Sequence, residues 1–258
     1  MGNAIYSVAQ INSARGNLKY NMEKHMRFIK SAAENNCEVI IFPEMSLTGY
    51  ERELAAQQYF IKDDKRLFCF QDASTKHKIT IVLGGPLQLN NKLYIASWIF
   101  EPNKQHKIYV KKYLHTGEAL YFSSSKHYDP VVKLKDKQMS FAICYDIEND
   151  AHIEQVKLKG SNFYGASIFY TKCGIKSGIE RLEYIANRYS LAVLMSNYVG
   201  TGWELEAGGC SSIWSDRGNL VISADKHSEC LLIAQNDNGE WRGSIKKLYL
   251  KEISDVLD

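Results

Sequence analysis

Short apolar runs alternate with stretches of helical periodicity along most of the chain. Residues 3–11 form an apolar run that predicts a buried strand, and residues 39–42 form a second run that ends at Pro43. Between them, apolar residues recur at three- and four-residue steps from Asn17 onward, which predicts a helix with Asn17 as its N-cap. The predicted apolar face of this helix consists of Leu18, Met22, Met26, Ile29 and Ala33.

The same alternation of strands and helices continues to about residue 235, without an internal repeat or a linker rich in Pro, Gly or Ser. This pattern predicts one α/β domain over residues 1–258, with a C-terminal tail over about 243–258 outside the core. The further predicted elements are helices at 51–77, 148–159 and 177–190, strands at 80–87, 139–144, 164–170 and 191–195, a hairpin at 93–111 and a strand-rich region at 209–235.

Composition and charge exclude several classes of protein. The 258 residues are 45% hydrophobic and 24% charged, which is ordinary for a globular protein and excludes a disordered chain. A net charge of +3, without a run of like charges, argues against a nucleic-acid partner. The sequence has neither an apolar run long enough to span a membrane nor a secretion signal at residues 1–10, so we expect a cytoplasmic protein without a membrane partner.

Neither the six cysteines nor the seven histidines have the spacing of a metal site. No two cysteines form a CxxC motif, and widely separated cysteines in a chain of this size favour free thiols in a reducing compartment. The sequence also lacks a GxGxxG motif and a P-loop. We therefore expect neither a metal nor a nucleotide site.

Three predicted strands end beside side chains that can take part in chemistry, and ligand sites of α/β sheets gather at such ends. Partial burial would move the pKa of Glu44 towards the range of a general base. Lys111 can place an ammonium near a developing oxyanion. At Cys144, a helix N-terminus and a neighbouring cation would favour the thiolate. Taken singly, a surface acid, a solvated lysine pair and an inert buried thiol are simpler explanations of these residues.

In this order, the three segments resemble the nitrilase superfamily of carbon–nitrogen hydrolases, which is marked by a Glu–Lys–Cys triad at three strand ends. The resemblance extends from about residue 3 to about residue 235 and therefore covers most of the chain. The matching segments are Phe42-Pro43-Glu44 with Thr48-Gly49-Tyr50, Tyr109-Val110-Lys111 with Leu114, Ile143-Cys144-Tyr145-Asp146, Asn197-Tyr198-Val199-Gly200, and Gly208-Gly209-Cys210-Ser211-Ser212-Ile213 with Gly218.

The resemblance implies a four-layer α-β-β-α sandwich, usually paired into a homodimer, that hydrolyses non-peptide C–N bonds without a cofactor. It implies that Cys144 is the nucleophile, Glu44 the general base and Lys111 the group that stabilises the oxyanion. Glu118 resembles the additional acid that many members place beside the triad. Lys112 is the alternative for the lysine role, but only Lys111 is followed three residues later by the leucine of the family motif.

The segment after Cys144 departs from the family. Where many members have Arg-Phe-Pro-Glu, this chain has residues 148–151 with the sequence Glu-Asn-Asp-Ala, so a basic position becomes acidic. If Glu148, Glu204 or Glu206 faces the pocket, a cationic or amine-bearing substrate is favoured over a carboxylate. The candidate substrate-binding residues are Tyr145, Cys173 and Trp203, although a non-catalytic role for Cys173 and ordinary loop packing for Trp203 are open alternatives.

These observations predict a thiol hydrolase that cleaves a small linear amide or carbamoyl compound through a thioester and releases ammonia or an amine. A nitrilase that acts on C≡N is the near alternative, and the sequence does not separate the two. Two further alternatives are a non-catalytic protein that kept the fold and a transferase that passes the acyl group to an amine. The joint presence of Glu44, Lys111, Glu118 and Cys144 argues against the non-catalytic alternative.

Overall fold

The computed structural model describes residues 4–248, which contain two large β-sheets and one two-stranded ribbon. The strands in chain order are β1 (Ala4–Gln10), β2 (Val39–Ile41), β3 (Thr80–Leu89), β4 (Lys92–Phe100), β5 (Lys107–Val110), β6 (Val132–Leu134), β7 (Lys137–Ile143), β8 (Phe163–Ser167), β9 (Ala192–Ser196), β10 (Thr201–Gly202), β11 (Leu205–Glu206), β12 (Ser212–Trp214), β13 (Leu220–Ser223), β14 (Cys230–Asp237) and β15 (Glu240–Lys247).

Five α-helices connect these strands within the described part of the chain. Among residues 4–248, no helix combines the length and the apolar character that a membrane crossing requires. The helices in chain order are α1 (Leu18–Glu34), α2 (Ala55–Gln58), α3 (Phe68–His77), α4 (Asp150–Leu158) and α5 (Ile175–Tyr189).

The centre of each large sheet is parallel. The first sheet has the strand order β15-β14-β1-β2-β3-β4-β5, in which β1, β2 and β3 run parallel. The second has the order β13-β12-β9-β8-β7-β6, in which β7, β8 and β9 run parallel. Glu44 follows β2 and Cys144 follows β7, so both residues lie beyond the carboxyl ends of central parallel strands, where α/β sheets form ligand sites.

The two sheets pack face to face, and helices cover both outer surfaces. The core between the sheets contains Tyr6 and Ile41 from the first sheet and Met139 and Phe163 from the second. The rings of Tyr6 and Phe163 lie 4.5 Å apart across the interface. Helices α1 and α3 pack on the outside of the first sheet, and α4 and α5 pack on the outside of the second. This four-layer α-β-β-α sandwich confirms the predicted fold class.

The prediction of one helix over residues 51–77 is wrong, because the segment is divided into α2, a 3₁₀ turn at Lys65–Leu67 that leads into α3, and non-helical chain after α2. Between them the chain runs alongside β3, where the N–H of Phe60 donates to the carbonyl oxygen of Pro86 at 2.8 Å. The buried Phe60 ring packs edge-on against Trp98, with ring centroids 5.4 Å apart. Burial of this aromatic side chain against the sheet outweighs the helical periodicity of the sequence.

Helix α1 begins as predicted, but its buried face is more polar than expected. The side chain of Asn17 accepts the N–H of Tyr20 at 3.2 Å and caps the helix. Asn21 donates to the carbonyl oxygen of Leu47, and His25 lies 2.9 Å from the Ser46 hydroxyl. These buried contacts hold the loop after β2, so α1 presents polar side chains to the loop that carries Glu44. The predicted residues Leu18, Met22, Met26 and Ala33 are half-buried beside this face.

The chain beyond residue 237 belongs to the first sheet for longer than predicted. Strand β15 pairs with β14 in an antiparallel ladder that continues to Lys247. Residues 243–247, within the predicted tail, satisfy their backbone hydrogen bonds in this ladder, and they are exposed to solvent. Residues 249–258, the remainder of the predicted tail, lie outside the described residues.

Candidate active site

Glu44 lies in the tight loop after β2, and its side chain is completely buried. The loop fits against β3 because Gly84 has no side chain: a Cβ at that position would lie 2.6 Å from the backbone nitrogen of Met45. Oε1 of Glu44 accepts a hydrogen bond from Lys111, whereas Oε2 has no partner among residues 4–248. Burial raises the pKa of Glu44 to about 7, against the opposing effect of the Lys111 charge.

Lys111 directly follows β5 and occupies the centre of a cluster of buried acids. Its ammonium donates to Oε1 of Glu44 at 2.8 Å and to Oε1 of Glu118 at 2.7 Å, and all three side chains are completely buried. Burial by itself would lower the pKa of Lys111, but the surrounding negative groups outweigh it and raise this pKa above its ordinary value. Lys111 is therefore a fixed positive charge.

Lys112 contacts a different set of residues. Its ammonium contacts the carboxylate of Asp129 and donates to Oε1 of Gln155 at 3.2 Å. Consecutive side chains at a strand end point to opposite faces, so only one of two adjacent lysines can reach the acids beside β2. The structure brings Lys111, and not Lys112, to Glu44 and Glu118.

Cys144 forms a backbone elbow between β7 and the 3₁₀ turn Cys144–Glu148. Its φ of 46° lies in the left-handed region, which residues other than glycine adopt only under strain. The elbow turns the chain away from the strand direction, and Cys144 lines a cavity at this end of the sheets. Its Sγ lies 3.9 Å from the carbonyl oxygen of Phe169.

The thiol of Cys144 is a weaker acid than the sequence predicts. Burial is the main cause that raises its pKa, and the charge of Glu44 adds to the effect, while Lys111 acts in the opposite direction. The nearby cation therefore favours the thiolate as expected, but burial outweighs its effect. The thiol keeps its proton in the free protein, and attack on a substrate requires a base to remove it.

Glu118 is the most thoroughly hydrogen-bonded acid of the cluster. Its Oε1 accepts the hydroxyl of Tyr50 at 2.7 Å as well as the Lys111 ammonium, and its Oε2 accepts the backbone N–H of His115 at 2.7 Å. Although burial acts to raise the pKa of Glu118, Lys111 and these donors hold it below its ordinary value. Glu118 is thus a fixed negative charge, in contrast to Glu44.

Asp146 connects the two segments that carry the candidate lysine and cysteine. Its Oδ1 accepts the backbone N–H groups of Lys112 and Tyr113 at 3.0 and 2.9 Å. Its Oδ2 accepts the N–H of Ile143 at 3.0 Å and the hydroxyl of Tyr109 at 2.7 Å. One buried carboxylate therefore holds the end of β7 against the end of β5. Sequence reasoning assigned no role to this residue, although it belongs to the matching Cys144 segment.

A cavity of about 660 Å³ lies above Cys144, and Tyr145 and Trp203 both line it. Cys173 does not line the cavity: its side chain is exposed on a loop of which only neighbouring positions reach the wall. The expectation that Cys173 lines the pocket is therefore wrong. The residues that line the cavity are Tyr50, Arg52, His115, Thr116, Cys144, Tyr145, Glu148, Phe169, Tyr170, Thr171, Gly174, Ser177, Trp203 and Leu205.

Charged residues of both signs line this cavity. Of the three acids considered from the sequence, Glu148 lines it, whereas Glu204 and Glu206 are not among the lining residues. Arg52 is the cation of the wall, and sequence reasoning missed it. Its position two residues after Tyr50, which ends the Glu44 motif, is the signal that could have identified it.

Among residues 4–248, no group of three or more His, Cys, Asp or Glu side chains is arranged to hold a metal ion.

A family model described as carbon-nitrogen hydrolase matches residues 6–246 of the chain. A glutamine-dependent NAD(+) synthetase from Aquifex aeolicus is 29% identical over 245 residues, which are 91% of this chain and 42% of that protein. The synthetase of the same name from Thermotoga maritima is 22% identical over 224 residues, which are 83% of this chain and 39% of that protein. The chain thus spans about two-fifths of the length of these curated relatives.

Solved structures share the fold at low sequence identity. The glutamine-dependent NAD+ synthetase from Acinetobacter baumannii superimposes with a TM-score of 0.82 at 20% identity and covers 97% of this chain and 49% of its own. An amidase from Nesterenkonia sp. AN1, solved as a cysteine-to-alanine mutant with butyramide, superimposes with a TM-score of 0.80 at 16% identity and covers 89% of each chain. At these identities the two structures support the four-layer fold.

Proposed function

The chain belongs to the carbon–nitrogen hydrolase family, and from this premise we propose that it hydrolyses the C–N bond of a small primary amide through a thioester on Cys144. The single observation that carries the proposal is the convergence of Glu44, Lys111 and Cys144: Lys111 donates to buried Glu44 at 2.8 Å, and both charges act on the Cys144 thiol at the cavity. A nucleophile, a base and a fixed cation at one cavity are the groups that acyl transfer requires.

The two acids of the cluster suit different roles. Glu44, with a pKa of about 7, can both take up and give back a proton near neutral pH, which a general acid–base group must do. Its unpartnered Oε2 leaves an acceptor for that proton. Glu118 is fully engaged by Lys111, Tyr50 and the backbone, so we assign it to holding the ammonium charged and in place.

In the first half-reaction, Sγ of Cys144 attacks the carbonyl carbon of the amide while Glu44 accepts the thiol proton. The carbonyl π electrons move onto oxygen, and the Lys111 ammonium, together with a backbone N–H at the Cys144 elbow, stabilises this oxyanion. When the tetrahedral intermediate collapses, the C–N bond breaks and Glu44 protonates the departing nitrogen. Ammonia leaves, and the acyl group remains on sulfur as a thioester.

In the second half-reaction, water enters the position that ammonia has left. Glu44 accepts a proton from this water as its oxygen attacks the thioester carbon, and Lys111 again stabilises the oxyanion. Collapse breaks the C–S bond, and the proton returns from Glu44 to the sulfur of Cys144. The products are a carboxylic acid and the free thiol, so the protein is restored without any other reactant.

The relatives suggest which amides to test first. The name of the Aquifex aeolicus relative describes it as glutamine-dependent, and the Nesterenkonia amidase was solved with butyramide. We therefore propose glutamine and short aliphatic amides as the first candidates. Because the chain covers 42% of the Aquifex relative, we propose amide hydrolysis for it and do not propose NAD synthesis.

The test measures ammonia release from glutamine, butyramide and the matching nitriles, together with the intact mass of the protein during turnover. We expect release from an amide and an acyl adduct that both disappear in Cys144→Ala. Cys173→Ala is the matched control, because Cys173 is a free thiol that does not line the cavity, and it should behave as the wild type. Release from nitriles alone would make the chain a nitrilase, and absence of both release and adduct would contradict the proposal.

A further inference from the structure

Arg52 is a buried cation whose guanidinium has no carboxylate partner in the described part of the chain. Only 5% of the residue is exposed, and it lines the cavity above Cys144. The adjacent acids are engaged elsewhere, since Glu51 pairs with Arg15 and Glu53 accepts the indole N–H of Trp203. Among residues 4–248, no Asp or Glu oxygen forms an ion pair with the Arg52 guanidinium. A buried charge of this kind is unfavourable unless a partner of opposite sign neutralises it.

The guanidinium is held rigidly by aromatic residues. It lies over the Trp203 ring at 3.8 Å from the ring centroid and over the Tyr50 ring at 5.2 Å. Its Nε and Nη2 donate to the Tyr50 hydroxyl at 3.1 and 2.8 Å, and its Nη1 donates to the carbonyl oxygen of Thr116 at 3.4 Å. Three of the five N–H bonds of a guanidinium are thus used, which leaves two without a protein acceptor in the described part of the chain.

The same contacts fix Arg52 relative to the reacting groups. The Tyr50 hydroxyl that accepts from Arg52 donates to Glu118, and Glu118 accepts from Lys111. Tyr50 therefore links the Arg52 guanidinium to Glu118, the acid that holds Lys111. Arg52 and Cys144 line the same cavity, so a substrate whose amide carbon lies at Cys144 would extend its far end towards Arg52.

We propose that Arg52 binds the carboxylate of the amide substrate, so that the preferred substrates are short amides that carry a negatively charged group at the far end. This inference rests on the proposed function, because it names the substrate class of the same site. A guanidinium with free N–H groups in one plane matches a carboxylate better than any neutral group. Glu148 also lines the cavity, so the expectation of a cationic substrate remains the alternative, but Glu148 is exposed to solvent whereas Arg52 is buried.

The first experiment compares substrates that differ only in the charge of their far end. Glutaramate carries a carboxylate where valeramide carries a methyl group and 4-aminobutyramide an ammonium, and each has a primary amide for ammonia release. For the wild type we expect kcat/KM for glutaramate to exceed that for valeramide by about 30-fold or more. In Arg52→Met this ratio should fall towards one, chiefly through a higher KM for glutaramate, and Arg52→Lys should recover part of it.

Arg66→Met is the matched control. Arg66 also lies over an aromatic ring, that of Phe60 at 4.4 Å, but it is paired with Asp64 and does not line the cavity. Its substitution should leave the glutaramate-to-valeramide ratio unchanged. Equal wild-type rates for the two amides, a preference for 4-aminobutyramide, or a ratio that survives in Arg52→Met would each overturn the proposal.

A binding measurement separates this proposal from the proposed function. Calorimetry with the Cys144→Ala variant measures the affinity for glutaramate and valeramide without turnover. The carboxylate site is supported if Cys144→Ala binds glutaramate more tightly than valeramide and if adding Arg52→Met removes this difference. This result would support the site even if the wild type hydrolysed no amide. Equal affinity for both amides contradicts the site, whatever the activity. If Arg52→Met does not fold, the affinities of Cys144→Ala for glutaramate and valeramide still decide whether the cavity prefers a carboxylate.

Discussion

Lys111 and Glu44 are 67 positions apart in the sequence, yet the Lys111 ammonium donates a hydrogen bond of 2.8 Å to the Glu44 carboxylate, and both side chains are completely buried. A charge pair buried this deeply is favourable only when its remaining donors and acceptors are also used. Lys111 has a second acceptor on Glu118, whereas Oε2 of Glu44 has no partner among the described residues. Burial raises the pKa of Glu44, and the single bond from Lys111 does not offset this effect, so Glu44 is able to exchange a proton.

The pH dependence of activity is expected to report on Glu44. A general base acts only in its deprotonated form, and burial raises the pKa of Glu44 to about 7. We therefore expect kcat/KM for an amide substrate to rise with pH and to level off above an apparent pKa near 7. Because Glu44, Cys144 and Glu118 titrate as a coupled group, this value belongs to the cluster as a whole. A rise centred near pH 4.5, the ordinary value for a glutamate, would contradict the assignment.

The same shift has a defined effect on stability. The folded-state pKa of Glu44 lies above its ordinary value of 4.5, so between about pH 4.5 and about pH 7 the folded protein binds more protons than the unfolded chain. This carboxyl therefore lowers the free energy of unfolding as pH rises through that window. Glu44→Gln removes this effect. Urea denaturation should therefore show that the variant becomes more stable relative to the wild type as the pH rises from 5 to 7.

Glu44→Gln should also remove most of the activity, because glutamine cannot accept the thiol proton. We expect kcat/KM to fall by about 10²- to 10⁴-fold, with the fold preserved as judged by circular dichroism. Glu101→Gln is a suitable control, since Glu101 is a buried carboxylate paired with Lys104 and Lys107 and does not line the cavity. Comparable activity losses in both variants would indicate a structural role for Glu44.

The two adjacent lysines provide a sharp comparison. Lys111→Met leaves two buried carboxylates without their cation and removes the proposed oxyanion partner, so we expect kcat/KM to fall at least about 100-fold and the free energy of unfolding to decrease. Lys112→Met removes contacts with Asp129 and Gln155, so we expect a loss of stability but an activity per folded molecule close to that of the wild type. Equal activity losses would show that the two side chains are not functionally distinct.

Asp146 is expected to position the reacting groups. Asn has one acceptor oxygen and an NH₂ group, so Asp146→Asn cannot accept all four hydrogen bonds that the carboxylate accepts. We expect the free energy of unfolding to fall by about 3 kcal/mol or more, and kcat to fall more than KM rises, because the distance between Lys111 and Cys144 changes. Asp129→Asn, which affects a carboxylate outside the cavity, should lower stability without the selective loss of kcat.

The sequence by itself determined the alternation of strands and helices, and with it an α/β chain whose candidate residues lie at strand ends. These features are local or depend on the chain order: apolar runs predict strands, and parallel strands bring their carboxyl ends to the same edge. The four-layer fold and the roles of Glu44 and Cys144 followed from the resemblance of the ordered motifs to the nitrilase superfamily. The N-cap of α1 was identifiable locally, since its hydrogen bond joins residues three positions apart.

Only the tertiary structure decided which of these side chains meet and in what protonation state. Lys111 and Lys112 are neighbours in sequence, and their separation into two clusters depends on acids more than 15 residues away. The raised pKa of the Cys144 thiol depends on burial, which no local pattern encodes. Arg52 became a candidate binding residue because Trp203, 151 positions later, covers its guanidinium. Long-range packing sets burial and charge, and these determine how the groups of the site react.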